Sequence, residues 1–189
     1  MKKLGIVAIA LMVGASMAYA SSVGIPWFMD NAAAASGVPQ ANGGSTTLVT
    51  LKSNETTPLT CYIAYYNADG DLLGPFEPDN SFTIAPLSAL AFRPVLYDPD
   101  ATVPGGINGG QEGAQGVLVP DRPRSVDATT PIPGTGGVID TKKNGSCVIT
   151  WFGGNDKSIQ GQLANFSTQI QPNGDKVTMS YGHLLPPGL

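Results

Sequence analysis

Short segments in which apolar and polar side chains alternate recur along most of the chain. The clearest covers residues 59–66, where Cys61, Ile63 and Tyr65 point to one face of a strand. The other segments of this kind are 47–51, 82–84, 90–93, 147–152, 159–166 and 177–181. Turn residues separate these segments, and no helical period competes with the alternation. The pattern predicts an all-β fold, a single β-sandwich of the immunoglobulin-like type.

The first twenty residues do not follow this pattern. Lys2 and Lys3 precede an apolar run over 4–14, and Ala18-Tyr19-Ala20 stands before Ser21. This arrangement predicts a signal peptide over 1–20 that is cleaved after Ala20. An uncleaved membrane anchor is the alternative, but the run is shorter than the roughly 20 residues that span a bilayer. We expect a secreted or cell-surface protein, with the periplasm as a further option and no transmembrane segment after cleavage.

Residues 21–44 are predicted to form an N-terminal extension, and residues 45–189 the sandwich domain. The extension begins with an apolar, strand-prone segment that ends at Met29. A free terminal strand of this kind can add to an open sheet edge of a neighbouring subunit. The predicted subunit contacts are Ile25, Trp27, Phe28 and Met29. The alternative is that the segment completes the sheet of its own domain.

A long insertion within the sandwich domain covers residues 97–145. It contains 10 Gly and 6 Pro, a composition typical of turns and irregular backbone. Loops of this length without secondary structure are uncommon in compact domains. Either the insertion lies on the surface of its own domain, or it contacts a neighbouring subunit or a ligand.

Composition and charge exclude several classes of protein. The chain has 24 Gly and 16 Pro among 189 residues, which argues against helical bundles because these residues are the poorest helix formers. One His and two Cys cannot build a multi-histidine or four-cysteine metal centre. The net charge of −4 argues against nucleic acid as a partner.

The two cysteines, Cys61 and Cys147, both lie in the part that is predicted to be exported. An even number of cysteines in an oxidising compartment favours a disulfide bond. We therefore predict a Cys61–Cys147 bridge that joins two strands close to Trp151. Two buried free thiols are the alternative.

Candidates for catalysis and metal binding are few. His183 is the only histidine available to a catalytic triad, and the chain has no G-x-S-x-G motif. We expect no catalytic residues, no cofactor and no enzymatic activity. Asn67, Asp69 and Asp71 alternate like the start of a calcium-binding loop. They are weak calcium candidates, because an Asx turn in a hairpin explains the same residues.

Three sequence stretches carry a resemblance to a known group of proteins. They are an Ile-Pro-Trp-Phe start at 25–28, an Arg93-Pro94 and Asp98-Pro99 pair, and a Leu-Leu-Pro-Pro-Gly tail at 184–188. In these three stretches the chain resembles an uncharacterised family of secreted bacterial β-sandwich proteins. The resemblance implies export and the sandwich fold, and it implies no activity.

Together these features predict a secreted, non-enzymatic structural protein that self-associates as a homo-oligomer or as a filament subunit. The alternative is an extracellular binding module for a glycan or another surface protein. Trp27, Phe28 and Trp151 are the aromatic side chains that could stack on a sugar in such a module.

Overall fold

A computed structural model describes residues 21–31, 42–94 and 119–186. The predicted signal peptide, the Asp98-Pro99 pair and residues 97–118 of the insertion lie outside these ranges. The described part is all-β and contains no helix. Its strands are β1 (Ser21–Met29), β2 (Gly44–Ser53), β3 (Leu59–Tyr66), β4 (Leu72–Gly74), β5 (Ser81–Ile84), β6 (Ala89–Phe92), β7 (Asn144–Trp151), β8 (Ile159–Ile170) and β9 (Lys176–Leu185).

The strands form two antiparallel sheets in a sandwich-like arrangement. One sheet has the order β1-β7-β3-β4, with β5 also pairing with β3, and the other has the order β6-β2-β8-β9. One core of buried apolar side chains draws on both sheets. The predicted all-β sandwich class is thus confirmed, while its immunoglobulin-like type stays a prediction.

Alternation explains why the central strands are where they are. In β3 the odd-numbered positions Cys61, Ile63 and Tyr65 are fully buried, and the strand has the predicted bounds. Each intervening side chain is partly or largely exposed. A pleated strand sends successive side chains to opposite faces, so a two-residue period places every second side chain in the core.

The last strand departs from this rule. Val177, Met179 and Tyr181 alternate as predicted, yet they are 49%, 64% and 61% exposed. The register pairs Tyr181 with Asn165 of β8, and Asn165 is buried. These three side chains thus lie on the same side of the sheet as a buried residue and are still exposed, whereas Leu185 at the end of the strand is buried. In β9 the alternation of apolar and polar residues therefore predicts the strand correctly but does not predict which of its side chains are buried.

The described half of the insertion packs against the domain. Val119 and Ile132 belong to the buried core, and Ser125 N donates a hydrogen bond of 2.8 Å to Asp140 O. Residues 119–143 contain no strand. This segment thus contributes buried side chains to the core although its backbone is irregular.

Candidate functional site

The N-terminal segment completes its own sheet in this structure. Strand β1 pairs antiparallel with β7 from Ser21, opposite Trp151, to Met29, opposite Asn144. Of the predicted subunit contacts, Ile25 and Phe28 are buried, and Met29 is half-buried. Trp27 is 42% exposed and is the only one of the four that the surface presents widely. The segment thus follows the alternative that the sequence left open.

A buried arginine joins the insertion to β1 and to the start of β7. Arg122 donates through Nη2 to Asp140 Oδ2 at 2.6 Å and through Nη1 to Lys142 O at 2.9 Å. Its guanidinium carbon lies 5.4 Å from the centre of the Phe28 ring. Burial lowers the pKa of Arg122 and the Asp140 carboxylate raises it. Sequence reasoning missed this group, because nothing local distinguishes Arg122 from an exposed arginine.

The predicted disulfide is wrong: Cys61 and Cys147 are buried free thiols. Both lie on neighbouring strands of one sheet, and Cys61 pairs with Trp151 whereas Cys147 pairs with Tyr65. Four residues along β3 separate these two pairings, an offset of about 13 Å at roughly 3.3 Å per residue. A disulfide needs Cα atoms within about 7 Å of each other. The second reading of the cysteines, two buried thiols, describes this structure.

The predicted calcium candidates form a hairpin turn. Asn67 Oδ1 accepts hydrogen bonds from Asp69 N at 2.9 Å and from Asp71 N at 2.8 Å. Asn67 Nδ2 donates to Asp71 Oδ2 at 2.9 Å, and Lys142 Nζ lies 2.8 Å from Asp69 Oδ2. Asn67 Oδ1 and one oxygen of each carboxylate thus already bind protein donors. This is the Asx turn that the sequence offered as the alternative.

The remaining chemical candidates stay separate from one another. His183 is exposed on β9. In the described ranges, no three His, Cys, Asp or Glu side chains come together as a metal site would need. A search of the same ranges for a helix of a length and hydropathy that fit a bilayer found none.

The three aromatic residues proposed for sugar stacking do not form a platform. Phe28 and Trp151 are fully buried, and only Trp27 reaches the surface. A different aromatic pair lies at the five-stranded sheet: the half-buried Tyr62 of β3 and Phe152, which follows β7, meet edge to face with ring centres 5.7 Å apart. Phe152 is 52% exposed.

The most exposed regular element of the described part is β9. This strand of ten residues pairs only with β8 among the described strands, and every one of its residues except Leu185 is exposed. Its register with β8 is unbroken from Lys176, opposite Ile170, to Leu185, opposite Gly161. Among the described strands, β9 lies at the edge of the four-stranded sheet and presents an uninterrupted row of backbone groups.

The composition of residues 176–185 already indicated an edge strand without the usual protection against pairing. Residues 176–185 contain no Pro and no acidic residue, and Lys176 is their only Lys or Arg. Alternating apolar positions in such a segment predict a strand, but they do not say whether a second sheet covers it. That outcome depends on the length and position of the other sheet.

A groove borders the C-terminal end of β9. It has a volume of about 360 Å³, and Leu184 and Leu185 line it together with Asp156 and Lys157. Leu184 is 78% exposed. The end of β9 thus combines an exposed apolar side chain with one acidic and one basic group.

Comparison with family models, curated proteins and solved structures found no match to this chain. The resemblance to a secreted bacterial family therefore stays a prediction.

Proposed function

We propose that this chain is an exported, non-enzymatic structural protein whose copies associate outside the cytoplasm through the edges of their sheets. The observation that carries the proposal is the exposed ten-residue edge strand β9. A strand edge presents unpaired N–H and C=O groups, and these groups bind another strand readily.

The other edges of the described sheets are protected in ways that β9 is not. At the opposite edges of the two sheets, β4 has three residues and β6 has four. Strand β1 contains Pro26, and its register is irregular between Ile25 and Phe28. Short length, proline and irregularity are the usual means by which proteins prevent edge pairing. Strand β9 has only Lys176, at its first position.

The buried polar groups are consistent with a structural role. Arg122 and Asp140 form an ion pair in the interior, and Thr47 Oγ1 donates to Asn165 Oδ1 between β2 and β8. Neither pair lines the groove beside β9. These groups hold the sheets and the insertion together, and none of them takes part in the described edge formed by β9.

The test uses the full chain, expressed with its first twenty residues and recovered from outside the cytoplasm. Its intact mass is expected to match a chain that begins at Ser21. Sedimentation velocity is expected to show species larger than a monomer, and their fraction is expected to rise with protein concentration. Electron microscopy then distinguishes closed oligomers from filaments, which require head-to-tail contacts. A product that keeps residues 1–20, or a monomer at every concentration, would contradict the proposal.

The second candidate is an extracellular binding module for a glycan or another surface protein. The contact of the exposed Phe152 with the half-buried Tyr62 favours it, because aromatic rings carry large apolar area and can bind a sugar face or a protein surface. Retention of the protein on a glycan array that Phe152→Ala abolishes and Phe76→Ala preserves would support this function. Phe76 is the matched control, since it is also an exposed phenylalanine.

A further inference from the structure

We infer that β9 pairs with β9 of a second copy of this chain, antiparallel and about a twofold axis at Ser180. The pairing would join two four-stranded sheets into one sheet of eight strands. It rests on the proposed self-association and specifies the surface and the register through which it occurs.

The length of the edge favours a second β9 as the occupant. Strands β4, β5 and β6 have three or four residues each, so pairing with any of them leaves more than half of β9 uncovered. Strand β1 has nine residues, but Pro26 interrupts its backbone donors. A second β9 offers ten regular positions against ten.

The hydrogen-bond pattern sets the register. At the turn between β8 and β9, Gln171 N donates to Asp175 O at 2.8 Å. Hydrogen-bonded and non-hydrogen-bonded pairs alternate along an antiparallel ladder. Even-numbered residues of β9 therefore direct their N–H and C=O groups away from β8, toward the open edge.

Pairing about Ser180 brings even-numbered residues opposite each other. Ser180 faces itself, Thr178 faces Gly182, and Lys176 faces Leu184. Moving the axis by one residue, to Tyr181, would place Pro186 opposite Lys176, and proline has no N–H to donate. The Ser180 register pairs residues 176–184 of the two copies and avoids this loss.

The side-chain faces match in the same register. A twofold axis perpendicular to the sheet keeps each face continuous across the two copies. Met179 then lies opposite Tyr181 of the other copy, and Val177 lies opposite His183. Met179 and Tyr181 are 64% and 61% exposed in the single chain, so pairing would cover apolar surface that β9 leaves in water.

Charge supports the same arrangement. The chain has a net charge of −4, yet β9 carries no acidic side chain, so the edge itself does not add to repulsion between copies. Lys176 of one copy would reach the end of the other β9, where Asp156 and Lys157 line the groove beside Leu184. Lys176 of one copy and Asp156 of the other would thus form one pair of opposite charges at each end of the joined strands.

The first test compares two variants at the axis. Ser180→Pro removes an N–H that faces the open edge, and it removes it from both copies at once. We expect the dissociation constant measured by sedimentation to rise about tenfold or more, whereas Ser180→Ala keeps the N–H and leaves it unchanged. Circular dichroism checks that both variants fold.

The second test reads the register and does not depend on a proline. Ser180→Cys is expected to form a disulfide-linked dimer under mild oxidation, because the pairing places this residue opposite itself. Val126→Cys is the control, since Val126 is 86% exposed but lies outside β9. The native Cys61 and Cys147 are buried and do not compete.

A third variant pair tests the charges. Lys176→Glu and Asp156→Lys are each expected to weaken association, and the double variant is expected to restore it. Lys143→Glu, at an exposed lysine that precedes β7 and lies outside β9, is the control and is expected to leave association unchanged.

The outcomes separate the two proposals. Association that survives Ser180→Pro, with no cross-link at Ser180→Cys, would overturn β9 pairing and leave self-association through another surface. A protein that stays monomeric at every concentration would overturn both. If Ser180→Pro does not fold, the cross-link and the charge swap decide.

Discussion

Arg122 lies over the ring of Phe28, with the guanidinium carbon 5.4 Å from the ring centre. Phe28 in turn meets Tyr65 edge to face, with ring centres 5.9 Å apart, and Tyr65 Oη donates to Pro120 O at 3.0 Å. The described half of the insertion is thus held against β1 and β3 by one chain of contacts. The contact explains why a segment rich in Gly and Pro packs closely here.

Replacing Arg122 with Ala is expected to destabilise the fold. The side chains of Arg122 and Asp140 are 0% and 2% exposed, so the change leaves a buried carboxylate without its partner. We expect a loss of about 3–5 kcal/mol in the free energy of unfolding, measured by urea denaturation. Lys143→Ala, at an exposed position, is the control, and an Arg122→Ala effect below 1 kcal/mol would contradict a structural role for the pair.

Two glycines on paired strands are expected to respond oppositely to alanine. A Cβ at Gly145 of β7 would overlap Tyr66 O and lie 3.2 Å from the Phe28 ring, whereas one at Gly24 of β1 meets nothing within 4 Å. Gly145→Ala is expected to cost about 1–3 kcal/mol. Gly24→Ala is expected to be neutral or stabilising by about 0.5 kcal/mol, because it restricts the unfolded chain. Thermal unfolding of the two variants checks the contrast.

The two thiols are expected to be protected from alkylation by their burial in the fold and not by a disulfide bond. Cys61 and Cys147 are buried free cysteines, so iodoacetamide should modify neither in the folded protein. Both should react in denaturant without any reductant, and intact mass counts the added groups. Failure to react until a reductant is added would show a disulfide and refute this assignment.

Stability is expected to fall in alkaline solution. Burial raises the pKa of Cys61 from 9.0 to about 12 and raises that of Cys147 as well. Above about pH 9 the thiols of the unfolded chain therefore lose their protons, whereas those of the folded protein keep them. The contribution of the two protonated thiols to the free energy of unfolding is complete below about pH 9 and is lost as pH rises. Denaturation between pH 8 and 11 should show a steeper loss for the native chain than for a Cys61→Ala, Cys147→Ala double variant. Equal slopes would contradict this origin.

Calcium is expected to leave the hairpin unchanged. Asn67 accepts two backbone hydrogen bonds within the turn, and its replacement by Ala should cost about 1–2 kcal/mol. Calcium at millimolar concentration should not alter the melting temperature of the native chain, since the carboxylates of Asp69 and Asp71 contact protein groups. A calcium-dependent increase that Asn67→Ala abolishes would restore the calcium assignment. Asn173→Ala, in the exposed turn before β9, is the matched control.

The sequence alone was sufficient to locate the described strands except β4, which has three residues and was not predicted, and to set the phase of β3. The bounds of β3 and the burial of Cys61, Ile63 and Tyr65 follow from alternation, because a pleated backbone converts a two-residue period into two faces. The turn after β3 could also be predicted, because Asn67 bonds its own backbone over a few residues. These features depend on interactions between near neighbours in the chain.

The disulfide, the insertion and the open edge were decided by tertiary structure. Whether Cys61 meets Cys147 depends on the register of β3 against β7, and whether Arg122 is buried depends on a contact with Phe28, far away in sequence. Strand β9 alternates like β3, but it lies at the edge of its sheet, and every one of its residues except Leu185 stays exposed. Alternation is a property of a single strand. The register of two strands, the packing of one sheet on another and the position of an edge strand depend on contacts between segments that are distant in sequence, and the local sequence does not determine them.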